Sequence, residues 1–239
     1  MSHFKNNTAL ARVRLKPSRS ISGDEPMAKV YDRIGGLIER LAAIAEIEAA
    51  AALAVWAVES AAADFQRSRP ILRFENHIFH ARWGKEHEAR FDAHFQFGGR
   101  GDVSGNRWEQ HRFRSAPDGE WRRFHGDQNL EYEVFYLAAG LASREAACLS
   151  ASFGGPQIMG FNHAVIGYAG AAQMFEAFSA SERWHVCGFF DFCQAKDLLA
   201  AIREERWRDF ATAYNGPGNA AVYEAKLRDA LAVARALFK

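Results

Sequence analysis

The sequence predicts a mainly α fold, a helical bundle interrupted by one loop-rich insertion with room for a small β-hairpin or sheet. Three observations predict it. Apolar residues recur at helical spacing in the first third, no sustained period survives between about 92 and 126, and helical patterning resumes from Gln128 to the C-terminus. At 239 residues, 49% hydrophobic and 25% charged, the chain can bury a sizeable core and has neither a disordered nor a membrane composition.

The elements follow in order. Residues 1–27 mix Ser, Asn, Arg and Pro and read as a flexible basic N-terminal tail carrying Lys5, Arg12, Arg14, Lys16 and Arg19; one domain is expected over 28–239. Ile34, Leu37, Ile38, Leu41 and Ile44 set a first helix. The Ala-rich run Ala49 to Val58, with Leu53 and Trp56 three apart, sets a second that closes on Glu59-Ser60. Arg69-Pro70 breaks the pattern, because the residue before a proline is pushed out of helical geometry. Ile71 to Asn76 alternates loosely as a short strand, and His77 to Trp83 turns into helix. Within the insertion, Asp118-Gly119 marks a hairpin. Helices are then expected over 128–141, 143–151, 170–180, 182–195, 197–204, 206–213 and 219–237.

Composition removes several function classes. A net charge of +1 provides no field able to hold nucleic acid. No segment reaches about 18 apolar residues, so no stable membrane insertion is expected, and the basic N-terminus lacks the apolar run of a secretory signal. Synthesis in the cytoplasm as a soluble chain is the expectation. Cys148, Cys187 and Cys193 suit neither a disulfide framework nor a zinc site and read as reduced core thiols. His77, His80, His87, His94, His111 and His125 are dense, yet Glu75-x-His77-x-x-His80 matches no zinc spacing; no metal and no cofactor are expected. Arg100-Gly-Asp102 is of a kind that occurs by chance, and no Ser or Cys has a partner suited to acyl transfer.

Three segments carry chemistry. Glu59 ends a buried helix, where desolvation raises a carboxyl pKa and lets the group hold a proton for donation. Ser150 to Asn162 places Gly154-Gly155 beside Gln157, whose amide both donates and accepts, with Met159, Phe161 and Asn162 following; the same pattern suits a plain connection between helices. Tyr214-Asn215-Gly216-Pro217-Gly218 forms a turn that presents a phenol and an amide.

In that order the three segments resemble the lysozyme-like superfamily, which includes goose-type lysozymes and lytic transglycosylases. Over about residues 30–237 the chain is similar more closely to the N-acetylmuramidase domain family of phage endolysins. The marks are Ala57-Val-Glu-Ser60, Arg73-Phe-Glu-Asn-His-Ile-Phe79, Leu149 to Asn162 with its Gln-Ile-Met-Gly-Phe-Asn run, and Tyr214-Asn-Gly-Pro-Gly218. The resemblance implies an α+β lysozyme-like fold around a central catalytic helix, and hydrolysis of the β-1,4 bond between N-acetylmuramic acid and N-acetylglucosamine. It implies Glu59 as the catalytic acid, with Gln157, Met159, Phe161, Asn162, Tyr214 and Asn215 along a glycan groove. Glu75 is the candidate second carboxylate, or equally a structural group that orients a neighbouring Arg or His. After Glu59-Ser60 the family usually has glycine where this chain has Ala61-Ala62. The implied partner is the peptidoglycan glycan strand, the implied site of action is the cell wall or periplasm, and an export or targeting partner is expected. The rival readings are a lytic transglycosylase leaving 1,6-anhydro ends, and a glycan-binding phage or wall component without catalysis.

Overall fold

The computed structural model describes residues 3–17, 26–60, 65–66 and 69–238. Arg19 of the expected tail and Ala61-Ala62 lie outside the described residues. Helices α1 (Thr8–Arg12), α2 (Pro26–Ala45) and α3 (Ala49–Glu59) come first, then strands β1 (Phe65–Gln66), β2 (Arg69–Pro70) and β3 (Leu72–Phe74). Next come α4 (Asn76–Arg82), α5 (Glu88–Asp92), β4 (Phe95–Gln96), β5 (Arg112–Phe113) and β6 (Arg122–Arg123). Then α6 (Gln128–Leu141), α7 (Arg144–Leu149), β7 (Ala151–Phe153), β8 (Ile158–Met159) and α8 (Ala171–Ala180) precede α9 (Glu182–Ala195), α10 (Leu198–Arg203), α11 (Trp207–Asn215) and α12 (Ala220–Leu237). Where the sequence suggests one domain, the chain divides into two compact units: Met1–Asp64 with Ala180–Lys239, and Phe65–Ser179.

The first unit is built around α3. This helix is apolar on every side, with Ala50 to Trp56 all buried, so it must be surrounded, and α2 and α12 pack along it. Pro26 opens α2 at the position where a missing N–H costs nothing, and Val30, Ile34, Leu37, Ile38 and Leu41 form its buried stripe. Glu46 reverses the chain in left-handed geometry, and Arg203 donates to the carbonyls of Glu46 (2.8 Å) and Ala45 (2.9 Å) that the helix end would otherwise leave unpaired. Among the described residues no single helix is long and apolar enough to cross a membrane; α2 and α3 qualify only as a pair, bent by 119°.

Residues 3–17 differ from the expected tail. Phe4 and Leu10 are buried, and Asp191 of α9 accepts from the backbone N–H groups of Phe4 (2.5 Å) and Lys5 (3.3 Å). Arg183 donates to the carbonyls of Leu10 and Val13, the latter at 2.6 Å. Backbone of residues 14–16 crosses α2 at Gly36, where a β-carbon would lie 2.6 Å from the Lys16 carbonyl oxygen. Two apolar anchors, a buried carboxylate and a glycine notch thus seat a segment whose composition alone looks solvated.

The second unit joins small antiparallel sheets to α4–α8. One sheet runs in the order β3-β7-β8, with Leu72 opposite Phe153 and Ser152 opposite Met159. Its outer edge at β3 is covered by α6: Gln128 exchanges two hydrogen bonds with Leu72, and Glu131 accepts from Phe74 N–H at 2.8 Å. The other three-stranded sheet is β4-β5-β6, whose β5–β6 connection contains the expected Asp118-Gly119 turn. Buried Asn76 bonds both Gln96 and Arg112 carbonyls at 2.8 Å, tying α4 to that sheet. Aromatic rings of Phe74, Phe79, Phe91, Phe95 and Phe113 fill the space between.

The helix expected over 143–151 ends at Leu149, and Ala151–Phe153 is strand. Glu75 N–H bonds the Ser150 carbonyl at 2.9 Å, which starts the pairing with β3 and draws the chain out of the helix. The three cysteines are free and buried, as expected, with thiols pushed up to about 12 at Cys148 and Cys187 and well above the ordinary value at Cys193, by desolvation.

Candidate functional site

In the first unit four helices bring polar groups to the end of α3. Glu59 stands on its last turn, and Asn215, the last residue of α11, donates from Nδ2 to Glu59 Oε1 at 3.0 Å. Burial raises the Glu59 carboxyl from 4.5 to about 7; the Asn215 hydrogen bond and the Lys226 charge on α12 pull the other way without cancelling it. The position at a helix C-terminus acts in the same sense as burial, since the negative end of the dipole disfavours a carboxylate. Cys193 of α9 and the Tyr214 phenol are close enough to feel the Glu59 charge, and both are pushed upward chiefly by their own desolvation.

Tyr214 is half-buried rather than displayed. Its ring stacks on Phe210 at 5.6 Å between centroids and meets Phe189 and Phe192 edge-on, so most of it belongs to the core behind Glu59. Asn215 is held where α11 stops: Gly216 follows at φ 84°, a left-handed value that glycine adopts without strain. A cavity of about 550 Å³ elsewhere on this unit, lined by His3, Phe4, Ile44, Asp197 and Arg203 among others, shares no residue with the Glu59 set.

The remaining sequence candidates lie in the second unit. Glu75 links β3 to α4 and is tied by its backbone to Ser150, so it sits beside the start of the Gly-rich segment. Arg73 donates to Glu75 Oε1 at 2.8 Å, while Oε2 lies 3.4 Å from His77 Nδ1 and 3.5 Å from His111 Nδ1. Burial pushes this carboxyl up as well, opposed by Arg73. Burial holds His111 down at about 3, with His125 adding to the effect. Behind it runs a chain of polar contacts: His111 Nδ1 to His125 Nε2 at 2.8 Å, then His125 Nδ1 to Glu131 Oε1 at 2.8 Å. Among the described residues, Glu75, His77 and His111 form a group whose donor atoms are close enough to share a metal ion.

Gln157 spends its amide on its own hairpin. Its Oε1 accepts from Ser152 Oγ at 2.9 Å, and its Nε2 donates to the carbonyls of Gly154 (2.7 Å) and Ile71 (3.3 Å), from a backbone held at φ 49°. Met159 is half-buried on β8, Asn162 is half-buried, and Phe161 is 39% exposed with the Arg82 guanidinium 5.3 Å from its ring centroid. Gly160 is packed so closely that a β-carbon would fall 2.0 Å from the Cys148 carbonyl oxygen.

The structure therefore gathers Glu59, Tyr214 and Asn215 in one unit, and Glu75 with the Gln157 hairpin in the other. Sequence reasoning missed Cys193 and Lys226 beside Glu59, and the His125 and Glu131 chain behind Glu75. Lys226 and Cys193 are ordinary helix residues with no local signal, whereas a glutamate on the buried stripe of α6 was a readable one.

A family model described as Muramidase, N-acetylmuramidase, matches residues 48–235. Among solved structures the chain is similar to the endolysin of Burkholderia AP3 phage, at 26% identity and a TM-score of 0.66, over 86% of this chain and 72% of that one. No curated protein matches.

Proposed function

From the premise that this chain belongs to the N-acetylmuramidase family, and is thus a peptidoglycan-degrading glycoside hydrolase of the lysozyme type, we propose that Glu59 is its general acid and that the bond cut is the β-1,4 link from N-acetylmuramic acid to N-acetylglucosamine. One observation carries the reading: a carboxyl titrating at about 7 at the end of a buried helix, oriented by Asn215. Such a group is protonated in much of the population at neutral pH and strong enough as an acid to protonate the leaving oxygen. The glycosidic C–O bond breaks as that oxygen takes the Glu59 proton, an oxocarbenium-like centre forms, and water adds to C1 while its proton passes to a carboxylate. That carboxylate is Glu75, or Glu59 once its own proton has left. Asn215 holds the acid, and Tyr214 closes the apolar floor behind it. Gln157 shapes the hairpin that presents Met159, Phe161 and Asn162 to the glycan. The proposed site of action is the cell wall or periplasm.

The test is a Glu59→Gln variant checked for folding by circular dichroism. It should lose turbidity clearing of exposed cell walls yet still pellet with them, and equal clearing by variant and parent refutes the assignment. Mass spectrometry of the digest separates the chemistries: reducing ends mean hydrolysis, and 1,6-anhydro ends mean a lytic transglycosylase. A parent that binds walls and releases nothing supports the non-catalytic reading.

A further inference from the structure

Around Glu75, donor atoms from separate stretches of the second unit stand close together. His125 Nδ1 faces Glu131 Oε1 at 2.8 Å, Glu131 Oε2 accepts the Phe74 N–H, and His125 Nε2 faces His111 Nδ1 at 2.8 Å. The other nitrogen of His111, Nε2, lies 3.1 Å from the Arg107 carbonyl oxygen and is not engaged by His125.

The geometry suits a bound cation. His77 Nδ1 is 3.4 Å from His111 Nε2 and 3.4 Å from Glu75 Oε2, Glu75 Oε2 is 3.5 Å from Nδ1 of the same His111 ring, and the three residues offer one ligand atom each within 4.8 Å of one another. Metal–ligand bonds of about 2.0–2.1 Å in a tetrahedral zinc site place ligand atoms about 3.3–3.4 Å apart. Arg73 occupies Glu75 Oε1 and leaves Oε2 to the cluster. We propose that Glu75 Oε2, His77 Nδ1 and His111 Nε2 form a site for a divalent transition-metal cation of the zinc class, with the Arg107 carbonyl as an adjacent oxygen ligand. The chain from His111 Nδ1 through His125 to buried Glu131 is then the outer support that fixes the tautomer of His111 and raises the basicity of Nε2. Arg73 and Arg107 oppose a second positive charge, but Arg73 is half-exposed and Arg107 exposed, so water screens them, whereas Glu75 and Glu131 are the more buried groups. With the cation in place Glu75 is a ligand, and activation of the attacking water falls to Glu59. The spacing escapes sequence motifs because Glu75 and His77 flank the start of α4 while His111 comes from the approach to β5.

The full chain, stripped with chelator and dialysed, is titrated with zinc chloride by calorimetry, and with cobalt chloride followed by visible absorption. One zinc per chain and the strong visible bands of tetrahedral cobalt are expected. His77→Ala should weaken zinc binding by about tenfold or more, and His125→Gln, at a residue that supplies no ligand atom but contacts the ligand His111, by about tenfold, each with an unchanged circular dichroism spectrum. No saturable binding, binding that His77→Ala leaves intact, or a thiolate charge-transfer band from the cysteines overturns the site. Should His125→Gln unfold, His77→Ala on the half-buried residue decides alone. Because the readout is binding, it stands or falls apart from the role of Glu59.

Discussion

Glu59→Gln keeps the size and polarity of the side chain but removes its ionisation, so the stabilities of parent and variant should diverge with pH. In the folded chain the carboxyl titrates at about 7 against an ordinary 4.5. Between those values the folded state keeps a proton that the unfolded state has released, so the parent loses stability as pH rises through the window. The penalty is absent below about 4.5 and complete above about 7. At about 1.4 kcal/mol per pH unit the full gap is worth ~3 kcal/mol. From about pH 5 to about pH 8 the parent should therefore lose roughly 2–3 kcal/mol that the variant does not. Urea unfolding of both proteins at the two pH values, extrapolated linearly to water, measures it, and taking the difference of differences cancels every other titrating group. A parent–variant gap that is equal at both pH values means Glu59 ionises as it would in water, and the acid assignment loses its physical basis.

Other outcomes follow from the same contacts. Asn215→Ala removes a donor that favours the Glu59 carboxylate, so the alkaline limb of wall hydrolysis should move to higher pH by less than about one pH unit; a limb that stays put or moves down counts against the contact. Lys226→Met should shift that limb in the same direction, and added salt should erase the difference from parent. Asp191→Ala strips the acceptor from the Phe4 and Lys5 N–H groups, costing about 1–3 kcal/mol and speeding hydrogen exchange over residues 4–12. Gly160→Ala forces a β-carbon onto the Cys148 carbonyl and should destabilise by about 1–3 kcal/mol or more, read as a lowered Tm.

Helices α2, α6, α9 and α12 lie within a residue or two of where the sequence pattern places them, apart from the start of α2, and α2, α6 and α12 each expose one face and bury another. In the structure Asp127 caps the start of α6 by accepting from Asn129 N–H, and Ser143 caps α7 by accepting from Ala146 N–H. Strand β7 was not readable, since Ala151, Ser152 and Phe153 are all buried and no alternation exists to detect. Nor was the division into two units, because the first is assembled from both ends of the chain. Glu59 was legible as a charge closing an apolar run. The polar chain behind Glu75 was not, since it draws on residues 75, 77, 111, 125 and 131, which only the fold brings side by side.

The sulfur atoms have a practical consequence. Two of them, Cys187 and Cys193, belong to the unit holding Glu59, and the third, Cys148, to the unit holding Glu75. Shielded and almost entirely protonated, they react with an alkylating reagent only during an opening excursion. Pulsed alkylation followed by peptide mapping would then clock each half of the enzyme separately, in the native state and with no label engineered in. A halide or pH that loosens one half would be seen there first, long before bulk melting.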